Sequence, residues 1–275
     1  MIRATVAGMC DRRRFLALAA AILLTPACGE KSDPAGKPPE LRVGMELSYP
    51  PFEMLDTKGN PDGVGYRMAE ALAKELGRPL KVVAMDFSGL IPALKTNNID
   101  LIISSMTATE DRRQSIDFSD PYAFTGLAIL VGKKSTVNSA EDLKQPGRTI
   151  VAKTTTTGEA WAIKNLPGAQ RVVFEDAAAC VAEVVQGRAD AFIYDQLTIY
   201  QYARENPETT RGLLTPIVEE SWAIGIAKEN ETLRGKVNEF IAKFRKDGGF
   251  EKLGDEYLKE EKKFLQDSGV PFILK

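Results

Sequence analysis

The residues able to do chemistry here are carboxylates, hydroxyls, lysines and arginines, because the chain contains no histidine. That removes the commonest general base and the commonest metal ligand. Its three cysteines, Cys10, Cys28 and Cys180, make no paired framework. Cys180, in EDAAACVAEVVQG (175–187), lies on the apolar side of a helical pattern and reads as a small buried hydrophobe, not a reactive thiol. Two charged residues stand out by their setting. Arg112 lies in SSMTATEDRRQSIDFSDPY (104–122). Its guanidinium can grip a carboxylate with two parallel hydrogen bonds, a planar match that lysine cannot make, or it can pair on the surface with Glu110 or Asp117. Asp195 closes GRADAFIYD (187–195). It can neutralise an ammonium, or cap the helix that QLTIYQYA (196–203) suggests.

The elements around these residues alternate. LRVGMEL (41–47), LKVVAM (80–85) and IDLIISSM (99–106) read as strands. Between them GYRMAEALAKELG (65–77) puts Met68, Leu72 and Leu76 on one face and closes on Gly77. SGLIPALKTN (88–97) is a short helix that tolerates Pro92 only in its first turn. The order then echoes. GLAILVGK (126–133), RTIVAK (148–153), AQRVVF (169–174) and ADAFIYD (189–195) read as strands. SAEDLK (139–144) opens with a capping box from Ser139 to Asp142; TGEAWAIKNL (157–166) and AAACVAEVVQG (177–187) are helical. A long amphipathic helix over 231–250 places Leu233, Val237, Phe240 and Phe244 on one face. This alternation predicts mostly parallel sheets covered by helices on both faces. Two similar units, with the chain returning to the first, predict two lobes and a hinge: 40–123 plus 226–275, and 124–225. Ligands in such sheets sit outside the carboxyl ends of the strands, where Glu46 to Tyr49, Ser104 to Arg112, Thr154 to Thr157 and Asp195 fall.

The N-terminus reads as an address. Arg12, Arg13 and Arg14 precede FLALAAAILL (15–24) and TPAC (25–28), a charged region, a short apolar run and small residues. An apolar run of about ten residues is too short for a permanent membrane span, which needs roughly twenty. DRRRFL (11–16) resembles a twin-arginine export signature, and Cys28 resembles a lipoprotein processing site, which predicts cleavage and lipidation there. Residues 29–39, GEKSDPAGKPP, read as a flexible tether. The first 27 residues carry four arginines and one aspartate. Against the chain's formal charge of −2, this leaves the rest at −5. A mildly acidic body argues against nucleic acid as a partner.

SYPPFE (48–53), DFSGLIPAL (86–94), the 104–122 string and GRADAFIYD (187–195) together resemble the polar amino-acid family of periplasmic solute-binding proteins, over residues 41–258. The resemblance implies an α/β, two-lobe periplasmic-binding-protein fold of type II, with a hinge and a ligand held in the interlobe cleft. It implies that Arg112 grips the ligand carboxylate, helped by backbone near Thr107 and by Thr157. Asp195 neutralises the ammonium, the Thr107 hydroxyl accepts from it, and Tyr49 and Phe87 sandwich the aliphatic part. Glu46 falls where related binders carry an acid facing the ligand side chain, and Ser104 and Ser105 resemble the serine pair of binders for lysine, arginine and ornithine. Lys153 matches a site-lining position that is apolar in some basic-amino-acid binders and lysine in a glutamine binder; buried there it repels a cation unless Glu46 pairs with it on closure. These signals pull apart, and a basic ligand is expected ahead of glutamine. TTTT (154–157) puts Thr155 where the family carries glycine.

The resemblance further implies an exported, lipid-anchored protein in the periplasm or on the outer face of the cell membrane. Its partners would be an amino acid and an inner-membrane ABC permease. It would be a monomer, with no metal and no cofactor. Two other classes compete. A few relatives have become dehydratases of cyclic carboxylic acids, with Glu46 then available as a general acid; against this, Arg112 with Asp195 suits a zwitterion, not a dicarboxylate. A sensor module has little support, because the chain ends about seventeen residues after GDEYL.

Overall fold

The computed structural model describes residues 38–267, Gly269 and residues 272–274. The leader, Cys28 and nearly all of the tether lie outside the described residues. The chain begins with β1 (Leu41–Met45), a small hairpin of β2 (Met54–Leu55) and β3 (Pro61–Asp62), α1 (Val64–Glu75), β4 (Leu80–Ala84) and α2 (Phe87–Lys95). β5 (Leu101–Ile102), α3 (Glu110–Ser115) and β6 (Asp117–Phe118) follow. A second unit holds β7 (Ala123–Gly132), β8 (Thr149–Lys153), α4 (Thr157–Asn165), β9 (Gln170–Phe174), α5 (Ala177–Val185), β10 (Ala191–Asp195), α6 (Gln196–Glu205) and β11 (Thr210–Trp222). The chain then returns through β12 (Gly225–Ile226), α7 (Glu231–Lys246), α8 (Gly249–Tyr257) and α9 (Lys259–Asp267).

Two five-stranded sheets result, ordered β4-β1-β5-β12-β6 and β11-β7-β10-β8-β9. The first is built from residues before Tyr122 plus the returning β12; the second lies wholly between them. The fold is the expected two-lobe α/β architecture. The sheets are more mixed than the mostly parallel expectation. β1 pairs in parallel with β4 and β5, and β8 with β9 and β10, but β12, β7 and β11 run antiparallel to their neighbours. The reason is the hinge. The chain crosses between sheets on β7 and comes back on β11, and these crossing strands must oppose each other.

Side chains on β7 alternate between two clusters. Leu127, Ile129 and Val131 pack with Ile150, Ala162 and Ile193, while Ala128 and Leu130 face Val151, Cys180 and Phe192. On the first sheet, Leu41, Val43 and Met45 pack with Met68 and Leu72 of α1; Leu90 and Leu94 of α2 cover Ile99 and Ile102 on the other side. Cys180 is fully buried, and burial pushes its thiol up to about 12, in keeping with an inert hydrophobe.

Two helix expectations need correction. α2 starts at Phe87, so Pro92 is its sixth residue and not in its first turn. The helix expected over 231–250 ends at Lys246, because Gly248 adopts φ 74° and restarts the chain as α8. α9 leans on the second unit, with Phe264 stacked on Tyr200 of α6 at 4.0 Å and Glu260 3.3 Å from Arg204.

Candidate functional site

Strand ends meet across the gap between the sheets. Glu46 and Tyr49 follow β1, Phe87 opens α2, and Ser104, Ser105 and Thr107 follow β5, with Arg112 on α3. From the second unit come Thr156 and Thr157 at the start of α4, and Tyr194 and Asp195 at the end of β10. All eleven line one cavity of about 20 Å³. Nine of the ten residues expected from the sequence are therefore brought together. The tenth, Lys153, does not line the cavity. It is buried behind Glu46, with Nζ 2.5 Å from Glu46 Oε1 and a second bond of 2.8 Å to the Glu175 carbonyl.

Arg112 makes neither of its possible surface pairs. One Nη donates to the Thr107 carbonyl at 2.8 Å and the other to the Thr155 carbonyl at 2.9 Å, on the opposite unit. Its guanidinium stacks over Phe87, 5.3 Å from the ring centre. Burial lowers its pKa to about 10, against the charges of Glu220 and Asp195. Three short turns aim it. Thr109 caps α3 by accepting from the Arg112 N–H, Ser105 takes φ 47°, and Thr155 takes φ 58°. Thr155 thus adopts the left-handed conformation that glycine would supply, at a cost of about 1 kcal/mol or more.

Asp195 is the N-cap of α6 by position, but its side chain makes no cap hydrogen bond. Its carboxylate instead accepts from the Tyr49 hydroxyl, which in turn accepts from Thr198 Oγ1 at 2.9 Å. Asp195 Oδ1 is buried and has no hydrogen-bond partner among the described residues. Burial, then the charge of Glu220, push the carboxyl up to about 8. Behind this wall Glu53, 1% exposed, accepts from Ser105 Oγ at 2.9 Å. Burial holds Glu53 well above the ordinary carboxylate range, only partly offset by that hydrogen bond. Tyr49 packs edge-on against Tyr194 and Trp222 and stacks on Phe52.

Sequence reasoning placed Thr156 only within the 154–157 run without singling it out, and missed Tyr194 and Glu220. Thr156 hides in the threonine run and Tyr194 in a buried strand. Glu220 had a usable signal: residues two apart on a strand share a face, and Trp222 is a large apolar residue demanding burial. Among the described residues no group of histidine, cysteine, aspartate and glutamate could hold a metal ion, and no helix is long and apolar enough to cross a membrane.

A binding cleft between two α/β lobes, lined from both sides by opposite charges, defines a solute-binding protein. The chain belongs to the bacterial extracellular solute-binding proteins, family 3, whose model matches residues 41–260. A probable histidine-binding protein of Neisseria gonorrhoeae is 31% identical over 255 residues, covering 89% of this chain and 94% of the relative. Among solved structures, the ancestral amino acid-binding protein AncCDT-1, a precursor of cyclohexadienyl dehydratase, is 36% identical with a TM-score of 0.73; the match covers 79% of this chain and 94% of that one. An ancestral arginine-binding protein bound to glutamine is 34% identical with a TM-score of 0.73, covering 79% and 97%.

Proposed function

We propose that this chain is the extracytoplasmic solute-binding component of an amino-acid ABC transporter, and that it acts by binding without turnover. The observation that carries this reading is the meeting, in one cavity, of the half-buried Arg112 guanidinium with Asp195 Oδ1 from the opposite lobe, which has no hydrogen-bond partner among the described residues. They match the carboxylate and ammonium that every amino acid offers, and buried charges need such partners. Tyr49 and Phe87 flank the aliphatic part, with Thr107 and Thr157 completing the polar shell. Ser104 and Ser105 line the side-chain end with Glu46. A cyclic dicarboxylate, the substrate class of the competing dehydratase reading, would face Asp195 and Glu46 as like charges.

The ligand's side chain is a neutral polar group of the glutamine kind, ahead of a basic one. A basic side chain needs Glu46 as its counter-ion, and Lys153 already occupies that role at 2.5 Å. Bringing a second cation beside a buried ion pair costs desolvation without a free partner. An amide can share Glu46 with Lys153 at no such cost.

The lobes that close on the ligand are 40–123 plus 226–275, and 124–225. Residues 1–28 are a signal peptide ending at lipidated Cys28, cut before that cysteine so that it becomes the new N-terminus, and 29–39 tether a monomeric body near its permease. A thermal-shift screen of the protein against the twenty amino acids and cystine tests the function, because a ligand bound only by the folded state raises Tm. A polar amino acid giving a saturable rise with no product formed supports it. No rise with any of them, together with turnover of a cyclic carboxylic acid, overturns it.

A further inference from the structure

Glu220 lies on β11, two residues before the buried Trp222. Its carboxylate accepts from Thr107 Oγ1 at 3.0 Å and takes a further hydrogen bond from Thr157. The contact is built into the hinge. Thr107 bridges to Trp222, the Ala108 N–H donates to the Ser221 carbonyl at 3.1 Å, and the Ala223 N–H donates to the Met106 carbonyl at 3.1 Å. The pairing of 106–108 with 221–223 therefore fixes where Glu220 meets Thr107. A threonine hydroxyl has one hydrogen and two lone pairs. With its hydrogen committed to Glu220, Thr107 can offer the cavity only lone pairs.

We propose that Glu220 is a positioning residue for amine recognition: by holding the Thr107 hydroxyl hydrogen, it makes that oxygen an obligate acceptor and selects ligands carrying an ammonium beside the carboxylate. The inference rests on the amino-acid reading above. Thr107 and Asp195 line the same cavity, and Asp195 Oδ1 has no hydrogen-bond partner among the described residues, so a ligand lacking the amine leaves both acceptors without the ammonium donor. Glu220 also acts on Asp195 through space, as the largest influence after burial that raises its carboxyl. The other groups facing Asp195 are Arg112 on α3, Tyr49 after β1, Tyr194 on its own strand, and Glu53 and Tyr122 behind the wall. Only Arg112 among them is cationic, so Glu220 is the charge whose removal eases Asp195 back toward the ordinary range.

The test uses Glu220→Gln, which keeps shape, removes the charge and can donate to Thr107. In the first arm the Asp195 side-chain carboxyl is titrated by 13C NMR without ligand. The midpoint is expected to fall below that of the wild type. In the second arm L-glutamine, L-arginine and L-histidine are titrated by calorimetry against glutaramic acid, 5-guanidinopentanoic acid and imidazolepropionic acid, which lack the amine. At pH 9, above the Asp195 midpoint in both proteins, the amino acid that binds is expected to lose about tenfold or more in affinity, while its amine-free counterpart changes less than about twofold. Should Glu220→Gln fail to fold, Thr107→Val must narrow the same discrimination while leaving the Asp195 midpoint in place. An unmoved midpoint in Glu220→Gln, or equal losses for both members of a pair, overturns the proposal. If the wild type binds none of these three, the pair tested is the amino acid found in the thermal-shift screen and its amine-free counterpart; if it binds no amino acid at all, the function above fails, whereas the midpoint arm still reads the hold of Glu220 on Asp195.

Discussion

On the amino-acid reading proposed above, Asp195 carries a cost in the free protein that the ligand would relieve. Its carboxyl sits near 8 rather than at the ordinary 3.8, first because of burial and then because of Glu220. Between those two values the folded state holds a proton that the unfolded chain has released. Stability from this group is therefore full below the ordinary carboxylate value and is lost as pH rises through about 8. An incoming ammonium needs the carboxylate, so binding near pH 7 must release a proton. Affinity is expected to climb with pH up to about 8 and then level off, as read by calorimetry in buffers of different ionisation enthalpy. Asp195→Asn should abolish that proton release, flatten the fall in Tm between pH 5 and pH 9, and weaken amino-acid binding severely. Proton uptake by wild type on binding would contradict the assignment. Arg112 makes the complementary case. Arg112→Lys loses one of two carbonyl bonds and the stack on Phe87. It should weaken binding by about 2–5 kcal/mol without unfolding the protein, since a buried carboxylate would be left under-satisfied. Unchanged affinity would remove Arg112 from the site.

The elements hold these side chains through close backbone approaches. α4 points its N-terminus at the cavity, and its second residue, Gly158, lies against β10. A Cβ there would fall 2.2 Å from the Ile193 carbonyl oxygen, two residues before Asp195. Neither backbone can yield without moving the other. Gly158→Ala is thus expected to push α4 off β10, carrying Thr156 and Thr157 away from Asp195. Stability should drop by about 1–3 kcal/mol, the usual cost of overpacking, and affinity should drop with it. Gly168→Ala, where nothing lies within 4 Å, serves as the control in the same chemical denaturation series. Equal behaviour of the two variants would show that the contact at Gly158 is not limiting. How legible the elements were depends on the same distinction between local and distant causes. β1, β8 and β10 announce themselves by runs of buried residues, and α1 by its apolar face and the glycine at its end. β11 does not: Gly212 and Pro216 interrupt it, its register shifts between Leu213 and Val218, and much of it is solvent-facing. Glu220 was lost with it. Nine of ten expected residues line the cavity because strand ends converge in this architecture, which local pattern reveals. That Lys153 stands behind Glu46 instead is a contact between residues 107 apart, which no local pattern encodes.

Among the described residues, four contacts besides the Tyr49–Asp195 hydrogen bond join the lobes over the cleft. Lys153 meets Glu46 at 2.5 Å, Arg112 the Thr155 carbonyl at 2.9 Å, Thr198 the Tyr49 hydroxyl at 2.9 Å, and Ser88 the Glu175 carboxylate at 3.3 Å. The cavity they enclose, about 20 Å³, is room for a water, so an amino acid must enter while the lobes are apart. The ion pair is the contact whose loss matters most. Both partners are nearly free of solvent, and removing one member of a buried pair costs about 3–5 kcal/mol, because the other charge is left without compensation. Lys153→Met should then favour the open arrangement, in which water reaches Glu46. Small-angle scattering of the ligand-free protein would see this as a radius of gyration above that of the wild type, whose compact body should measure about 18 Å. The double variant Glu46→Met with Lys153→Met removes the stranded charge and should close again, since a well-packed apolar pair can replace a buried ionic one. Saturating ligand should compact the wild type least and Lys153→Met most. If Lys153→Met has the wild-type radius without ligand, the pair does not hold the lobes together, and closure rests on the hydroxyl and carbonyl contacts alone.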